Sequence, residues 1–188
     1  MYFDGRPRSS HTYGLLNVVD RDLVMWPTGA QFITGGGTAM GWRFSRSTQD
    51  WSQIANTPLD YAEHYSGTCW VAPTRELWHF PNTNSAAWVL NIDTRQARRV
   101  EYEAKSSACK APVYDPVRGY IVVFGNMPQG FVLVRPEGAH GPAWTPPVKG
   151  EVPAAYSSEG RGADGWAYDA RNDRFCSRRG KTTDLNIL

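Results

Sequence analysis

The chain has 188 residues, of which 41% are hydrophobic and 13% aromatic, so its composition is that of a folded globular protein and excludes a disordered one. The formal net charge is only +2, and the basic residues are scattered, which argues against a nucleic-acid-binding surface. No segment approaches the roughly 18 apolar residues of a membrane span, and residues 1–10 contain no apolar run typical of a signal peptide. We therefore expect a soluble protein, and the compartment is left unassigned.

A strand, a tight polar turn and a second strand recur four times along the chain. The first unit joins HTYGLLNVV to LVMWPTG through residues 20–22 and continues with MGWRFS and DWSQI. The second joins GTCWVA to LWHF through 73–76 and continues with AAWVLNID and ARRVEYE. The third joins APVYD to YIVVFGN through 116–119, followed by GFVLVRP and a segment containing AWTPP. The fourth joins DGWAYD to RFCSRRG through 170–173 and ends with TDLNIL.

The spacing of these units predicts a repeat architecture. From Asp22 to Glu76, from Glu76 to Gly119 and from Gly119 to Asp173 there are 54, 43 and 54 residues. Repeats of about 40 to 50 residues are typical of arrays of small antiparallel sheets. One such sheet has two faces and cannot bury both alone, so neighbouring sheets must stack. Because an uninterrupted helical stripe is absent from the sequence, we expect an all-β protein.

Several motifs resemble known repeats. A Tyr-Asp pair, a short turn, an apolar strand and a glycine occur at 114–125 and again at 168–180, and this unit resembles the kelch signature. The segment WVLNIDT at 88–94 resembles the third-strand element of kelch repeats. GRPRSSHTYG at 5–14 resembles the start of bacterial kelch-like and galactose-oxidase-like repeats. The chain therefore resembles part of a kelch-type or galactose-oxidase-like β-propeller.

This resemblance implies a β-propeller-like array of about four antiparallel four-stranded blades in a single domain, 1–188. The expected blades span approximately 8–55, 66–106, 109–148 and 163–188, and the last is expected to be incomplete. Three arrangements would accommodate so few blades: a fragment of a longer protein, a small four-bladed ring, or a ring completed by another chain. We favour the last two, because unpaired edges and faces rarely persist.

The sequence contains no convincing catalytic or metal-binding pattern. His11, His64, His79 and His140 form no close pair, and none of them maps onto the copper ligands of galactose-oxidase-like enzymes. The carboxylates Asp60, Glu63, Glu101 and Glu103 are only loosely grouped, so they do not define a glycosidase pair. Neither a Gly-x-Ser-x-Gly elbow nor an HExxH helix is present. We therefore predict no catalytic residues, no metal site and no cofactor, and we lean against an enzyme.

Two further groups of residues favour structural roles. Cys69, Cys109 and Cys176 fit no CxxC pattern and are expected to be reduced, buried thiols. The run 35–37 with Gly41 is followed by a strand rather than a helix, so we interpret it as a connection and not as a phosphate-binding loop.

Tryptophan is the most informative residue type. It recurs about once or twice in each repeat, at Trp42, Trp51, Trp70, Trp78, Trp88, Trp144 and Trp166. The favoured interpretation is that these side chains wedge between blades. The alternative is a ligand or partner surface, for which the best candidates are Tyr61, Tyr65 and Trp144, in the long connections at 52–68 and 136–162.

Three functional hypotheses follow from this pattern. The first is a non-enzymatic binding or assembly module that presents propeller loops to a protein partner or to copies of itself. The second is a structural component of a larger particle, such as a virus or phage appendage. The third is a fragment of a propeller enzyme, either a carbohydrate-active hydrolase or an oxidase. Accordingly the expected partners are protein, including self-association, with carbohydrate as a further candidate, and neither nucleic acid nor a membrane span.

Overall fold

The computed structural model describes residues 6–7, 14–27, 40–56, 66–81, 86–101, 111–124, 131–137, 165–178 and 185–187. Within these ranges the chain is all-β, with fourteen strands and one short 3-10 helix at Ala72–Thr74. The strands form four antiparallel sheets in chain order, which we call blades 1 to 4. The predicted all-β, propeller-like fold class is therefore confirmed.

The bounds of the strands follow the predicted units closely. Blade 1 contains β1 (Leu16–Val19), β2 (Asp22–Met25), β3 (Met40–Ser45) and β4 (Asp50–Asn56). Blade 2 contains β5 (Gly67–Val71), β6 (Glu76–Phe80), β7 (Ala86–Asn91) and β8 (Ala97–Glu101). Blade 3 contains β9 (Ala111–Asp115), β10 (Tyr120–Phe124) and β11 (Phe131–Val134). Blade 4 contains β12 (Gly165–Asp169), β13 (Arg174–Arg178) and β14 (Leu185–Ile187).

The number of strands described differs between the first two blades and the last two. Blades 1 and 2 have the four strands that the repeat pattern predicts, whereas the described residues of blades 3 and 4 supply three each. The predicted AWTPP strand of the third unit lies outside the described residues.

The first turn of each blade depends on a residue in the left-handed region of backbone conformation. Arg21 has φ 80°, Arg75 φ 57°, Gly119 φ 70° and Asp173 φ 51°. In blades 3 and 4 the aspartate of the Tyr-Asp pair also holds the turn, because its carboxylate accepts backbone N–H bonds from the residues two and three positions further on. The aspartate of the Tyr-Asp motif thus ends the first strand and also stabilises the turn that follows it.

The blades stack through their first strands. Extensive contacts join β1 to β5, β5 to β9 and β9 to β12, and among the described residues no comparable contact joins β12 back to β1. Between blades 1 and 2 the backbone N–H of Thr68 donates to the carbonyl of Gly14 at 3.0 Å, and the Thr68 hydroxyl donates to the carbonyl of Trp26 at 2.9 Å. The four blades therefore form an open arc within the part of the chain that is described.

Each blade has a following face, directed at the next blade in chain order, and a preceding face, directed at the previous one. Successive residues of a strand point to opposite faces, so the two faces alternate along the second strand of every blade. Three buried clusters fill the spaces between blades. In each cluster, the third residue of the second strand of one blade packs with the second residue of the second strand of the next blade. The pairs are Val24 with Leu77, Trp78 with Ile121, and Val122 with Phe175.

Most tryptophans in the described ranges lie between blades, as predicted. Trp78 is fully buried between blades 2 and 3, and Trp70 and Trp88 pack into the cluster between blades 1 and 2. Trp166 of blade 4 stacks on Phe124 of blade 3 with ring centroids 3.8 Å apart and an angle of 6° between the planes. These large flat side chains supply much of the apolar area that holds the array together.

Candidate functional site

A concave groove runs along the inner edge of the arc. Its volume is about 880 Å³, and it is lined by first-strand residues of all four blades and by first-turn residues of blades 2, 3 and 4. The lining is mainly aromatic, proline and small apolar side chains, among them Trp70, Tyr114, Pro116, Trp166 and Tyr168. No lining side chain is an aspartate, glutamate, lysine, arginine or histidine, so the described wall of the groove carries no formal charge.

The titratable groups of the groove are held in their neutral forms. Burial raises the pKa of the Cys69 thiol far above its usual range, which keeps it from becoming a nucleophilic thiolate. Desolvation also raises the pKa of Tyr114. Burial, reinforced by a hydrogen bond to Asp173, raises the pKa of Tyr168 to about 12. The groove therefore offers a neutral, apolar surface rather than a group poised for acid–base chemistry.

One polar group at the groove has no partner among the described residues. Asn17 lies on β1 and lines the groove, and its Nδ2 is buried without a hydrogen-bond acceptor. A buried amide donor left without an acceptor is rare in folded proteins. Asn17 is therefore the polar feature that distinguishes the wall of blade 1.

Bidentate arginine–aspartate pairs, which we call arginine forks, join the first turns of neighbouring blades at the rim of the arc. Arg75 of blade 2 donates two parallel bonds to Asp20 of blade 1, at 2.8 and 2.7 Å, and also binds Asp93 of its own blade. Arg118 of blade 3 makes the same two-pronged contact with Asp173 of blade 4, with both distances 2.7 Å. Bidentate geometry of this kind fixes orientation as well as distance. The forks thus hold blade 1 against blade 2 and blade 3 against blade 4.

These contacts shift the pKa values of the carboxyl groups. Hydrogen bonds from Arg118 and Tyr168 lower the pKa of Asp173 to about 2. The hydrogen bond from Arg75 likewise lowers the pKa of Asp20 and of Asp93. The carboxylates of Asp20, Asp93 and Asp173 are therefore ionised and paired at neutral pH, and none of the three is a general acid.

A second feature is the preceding face of blade 1, which the described residues leave uncovered. Four large hydrophobic side chains of the described chain are exposed, and three of them lie on this face: Leu16 (46% exposed), Val18 (64%) and Leu23 (41%). Beside them Phe44 and Trp51, half-buried, pack together with ring centroids 5.3 Å apart. The register places these side chains on one face, since Val18 pairs with Leu23, Leu23 with Phe44 and Phe44 with Trp51. The result is a contiguous apolar patch, which we call the open face.

Comparison with the other blades shows what this face lacks. The residues equivalent to Leu23 are Leu77 in blade 2 and Ile121 in blade 3, and both are fully buried by the blade that precedes them. The residue equivalent to Val18 is Trp70 in blade 2, which packs into the same kind of interface. Blade 1 therefore carries the packing surface of an interior blade at a position where the described residues supply no neighbour.

The residues predicted for a ligand or partner surface are not among those that the structure describes. Tyr61, Tyr65 and Trp144, the candidates for a ligand or partner surface, lie outside the described residues and stay predictions. The sequence pattern missed the open face, although Leu16, Val18 and Leu23 alternate in the way expected for one side of a two-stranded unit. The sequence pattern does not indicate which of the two apolar faces of blade 1 is covered by a neighbouring blade.

The residues weighed for metal and acid–base roles have structural explanations where they are described. His79 is buried beside Trp26, and its Nδ1 lies 3.4 Å from the Thr68 hydroxyl. Glu101 is exposed and pairs with Arg99 at 3.0 Å. Cys69 and Cys176 are free thiols. In the described parts of the chain no three His, Cys, Asp or Glu side chains are grouped in a way that could hold a metal ion.

Comparisons with known proteins add no family to this description. No protein-family model matches the chain, and no curated protein matches it at a significant score. Within the described ranges, no helix has the length and apolar character needed to cross a membrane.

Proposed function

We propose that this protein is a non-enzymatic assembly module of the β-propeller type, whose open face binds a β-sheet of a protein partner or of another copy of itself. The observation that carries the proposal is the exposure of Leu16, Val18 and Leu23, since the residues equivalent to Leu23 in blades 2 and 3 are fully buried. Contiguous apolar patches on a protein surface usually mark interaction sites. The resemblance of the Tyr-Asp turns to kelch repeats supports the same interpretation, because such blades normally bury both faces against neighbours.

The chemistry of the groove also favours binding over catalysis. The described wall contains no ionised side chain, and the pKa of Cys69, Tyr114 and Tyr168 is raised in each case. A neutral, aromatic groove is suited to contact with apolar or uncharged surfaces of a partner. Tyr61, Tyr65 and Trp144 remain the proposed specificity residues.

The proposal is tested by the solution mass of the purified chain, measured by light scattering over a range of concentrations. We expect association that increases with concentration, and we expect Leu23→Asp to shift it towards the monomer, because a carboxylate on the open face must be desolvated when the face is covered. Val117→Asp is the matched control, since Val117 is also exposed, at 48%, but lies in the first turn of blade 3 and not on the open face.

Circular dichroism must show the same strand content in both variants, so that loss of association is not loss of fold. A wild-type chain that is folded and strictly monomeric at every concentration contradicts self-association through the open face. Equal effects of Leu23→Asp and Val117→Asp would also contradict it, since the open face would then have no special role.

A further inference from the structure

The two ends of the arc expose opposite kinds of face. Blade 1 presents a preceding face, and blade 4 presents a following face, on the side of β12 and β13 directed away from blade 3. Ala167 and Cys176 lie on that side, since each alternates with a residue packed against blade 3 (Tyr168 and Phe175). Ala167 is exposed and Cys176 is half-buried. A following face is what the open face of blade 1 would meet if another blade preceded it.

We infer that two copies of this chain pack head to tail, with the following face of blade 4 in one copy covering the open face of blade 1 in the other. This inference rests on the proposed assembly function and adds the partner and the contact. It repeats a contact that the chain already makes three times between its own blades, so no new type of interface is required.

The repeated contact identifies the residues that would meet. At each internal interface, the third residue of the second strand of one blade packs with the second residue of the second strand of the next blade. The pairs are Val24 with Leu77, Trp78 with Ile121, and Val122 with Phe175. In blade 4 the third residue of the second strand is Cys176, and in blade 1 the second residue is Leu23. The same rule therefore places Cys176 of one copy against Leu23 of the other.

Size and charge are compatible with this contact. Ala167 and Cys176 on blade 4 of one copy are small. Leu16, Val18 and Leu23 project from blade 1 of the other copy, so these apolar side chains have room to interdigitate. Two charged groups on the following face of blade 4 pair with each other, since Arg174 Nε lies 3.0 Å from Asp169 Oδ2. Asp20 and Asp173, in the two turns that would become neighbours, are each already bound by an arginine fork.

Symmetry permits this arrangement. A head-to-tail contact uses different surfaces on the two partners, and it closes when successive rotations return to the start.

Thiol cross-linking tests the contact directly. In a Cys109→Ser background, Leu23→Cys places a thiol opposite the natural Cys176 thiol, and diamide oxidises the two thiols to a disulfide while it is itself reduced to the hydrazine. We expect covalent dimers on a non-reducing gel, at a level about tenfold above Val117→Cys in the same background, because an interface holds the two thiols at high effective concentration. A short bis-maleimide should give the same product where the thiols are near but not aligned for a disulfide.

Removing the natural thiol separates the alternatives. Leu23→Cys combined with Cys176→Ser should lose the cross-link. Persistent dimers in that variant would show that two open faces meet each other, which overturns the head-to-tail inference but leaves the assembly function intact. Absence of any cross-link in a chain that associates would also overturn the inference. A chain that is monomeric throughout would overturn the inference together with self-association as the proposed function, so the two failures are distinguishable.

Discussion

Leu77 and Leu23 occupy the same position in blades 2 and 1, and the difference between them shows what neighbouring blades contribute. Each is the second residue of its blade's second strand and points to the preceding face. Leu77 is fully buried in the cluster that blade 1 completes, whereas Leu23 is 41% exposed. The strand sequences are alike in kind, so the burial of this residue depends on the adjacent blade and not on its own sheet. An apolar residue of a repeat becomes core only when the next repeat is in place.

The largest effect on stability is expected at Leu77, the buried residue of this pair. Leu77→Ala should lower the free energy of unfolding by about 2 to 5 kcal/mol, because it leaves a cavity between two sheets. Leu23→Ala, measured at a concentration where the chain is monomeric, should cost less than about 1 kcal/mol, because much of that side chain is already in water. Urea unfolding followed by tryptophan fluorescence measures both values. Equal losses would mean that blade 1 is as well covered as blade 2.

An intermediate effect is expected at Gly41 of blade 1, whose neighbours Trp26 and Ile54 belong to the cluster between blades 1 and 2. A Cβ added at Gly41 would lie 3.0 Å from Ile54 Cγ1 and 3.0 Å from Trp26 Cδ1, inside the cluster between blades 1 and 2. Gly41→Ala should therefore destabilise the fold by about 1 to 3 kcal/mol through overpacking.

Gly14→Ala provides the control for that substitution. A Cβ at Gly14 would meet its nearest atom, the Cα of Gly67, at an ordinary 3.6 Å. Its unfolding free energy should change by no more than about 0.5 kcal/mol, as for most exposed substitutions. If the two alanine variants unfold alike, close packing at Gly41 does not contribute to the interface.

The smallest expected effect concerns the fork between blades 3 and 4 and depends on pH. The pKa of Asp173 is lowered from 3.8 to about 2, so its contribution to stability is fully present above pH 4 and is lost as the pH falls through 2. Asp173→Asn cannot titrate, and its free energy of unfolding should therefore fall less steeply than that of the wild type between pH 4 and pH 2. Because the pair is largely exposed, high salt should reduce the difference. Parallel pH curves for the two proteins would show that the fork does not couple to folding.

Much of the fold could be predicted from the sequence, for physical reasons that differ between elements. β3 and β9 begin and end where the patterns MGWRFS and APVYD do, because polar turn residues bound each short apolar run. The Tyr-Asp turns were visible because an aspartate that accepts backbone N–H bonds has to stand at a fixed place before the turn.

The site could not be predicted in the same way. Leu23 and Leu77 look equivalent in sequence, and their difference in burial arises only from the position of whole sheets relative to one another. The arginine forks were also hidden, since Arg75 and Asp20, like Arg118 and Asp173, are 55 residues apart and meet only because successive turns stack. Long-range pairing between repeats is a property of the array and not of any single motif.

The central claim is that the open face of blade 1 is a surface on which another blade packs. Thiol labelling at three positions tests this claim most directly. In a Cys109→Ser, Cys176→Ser background, single cysteines replace Leu23, Leu77 or Val117, and the rate of reaction with a maleimide is measured as the protein concentration rises. Cys69 is buried with its pKa strongly raised, so it should contribute little to the signal. We expect slow labelling at position 77 and fast labelling at position 117 at every concentration, with labelling at position 23 fast in dilute protein and progressively slower in concentrated protein. Labelling at position 23 that stays as fast as at position 117 throughout would contradict the account.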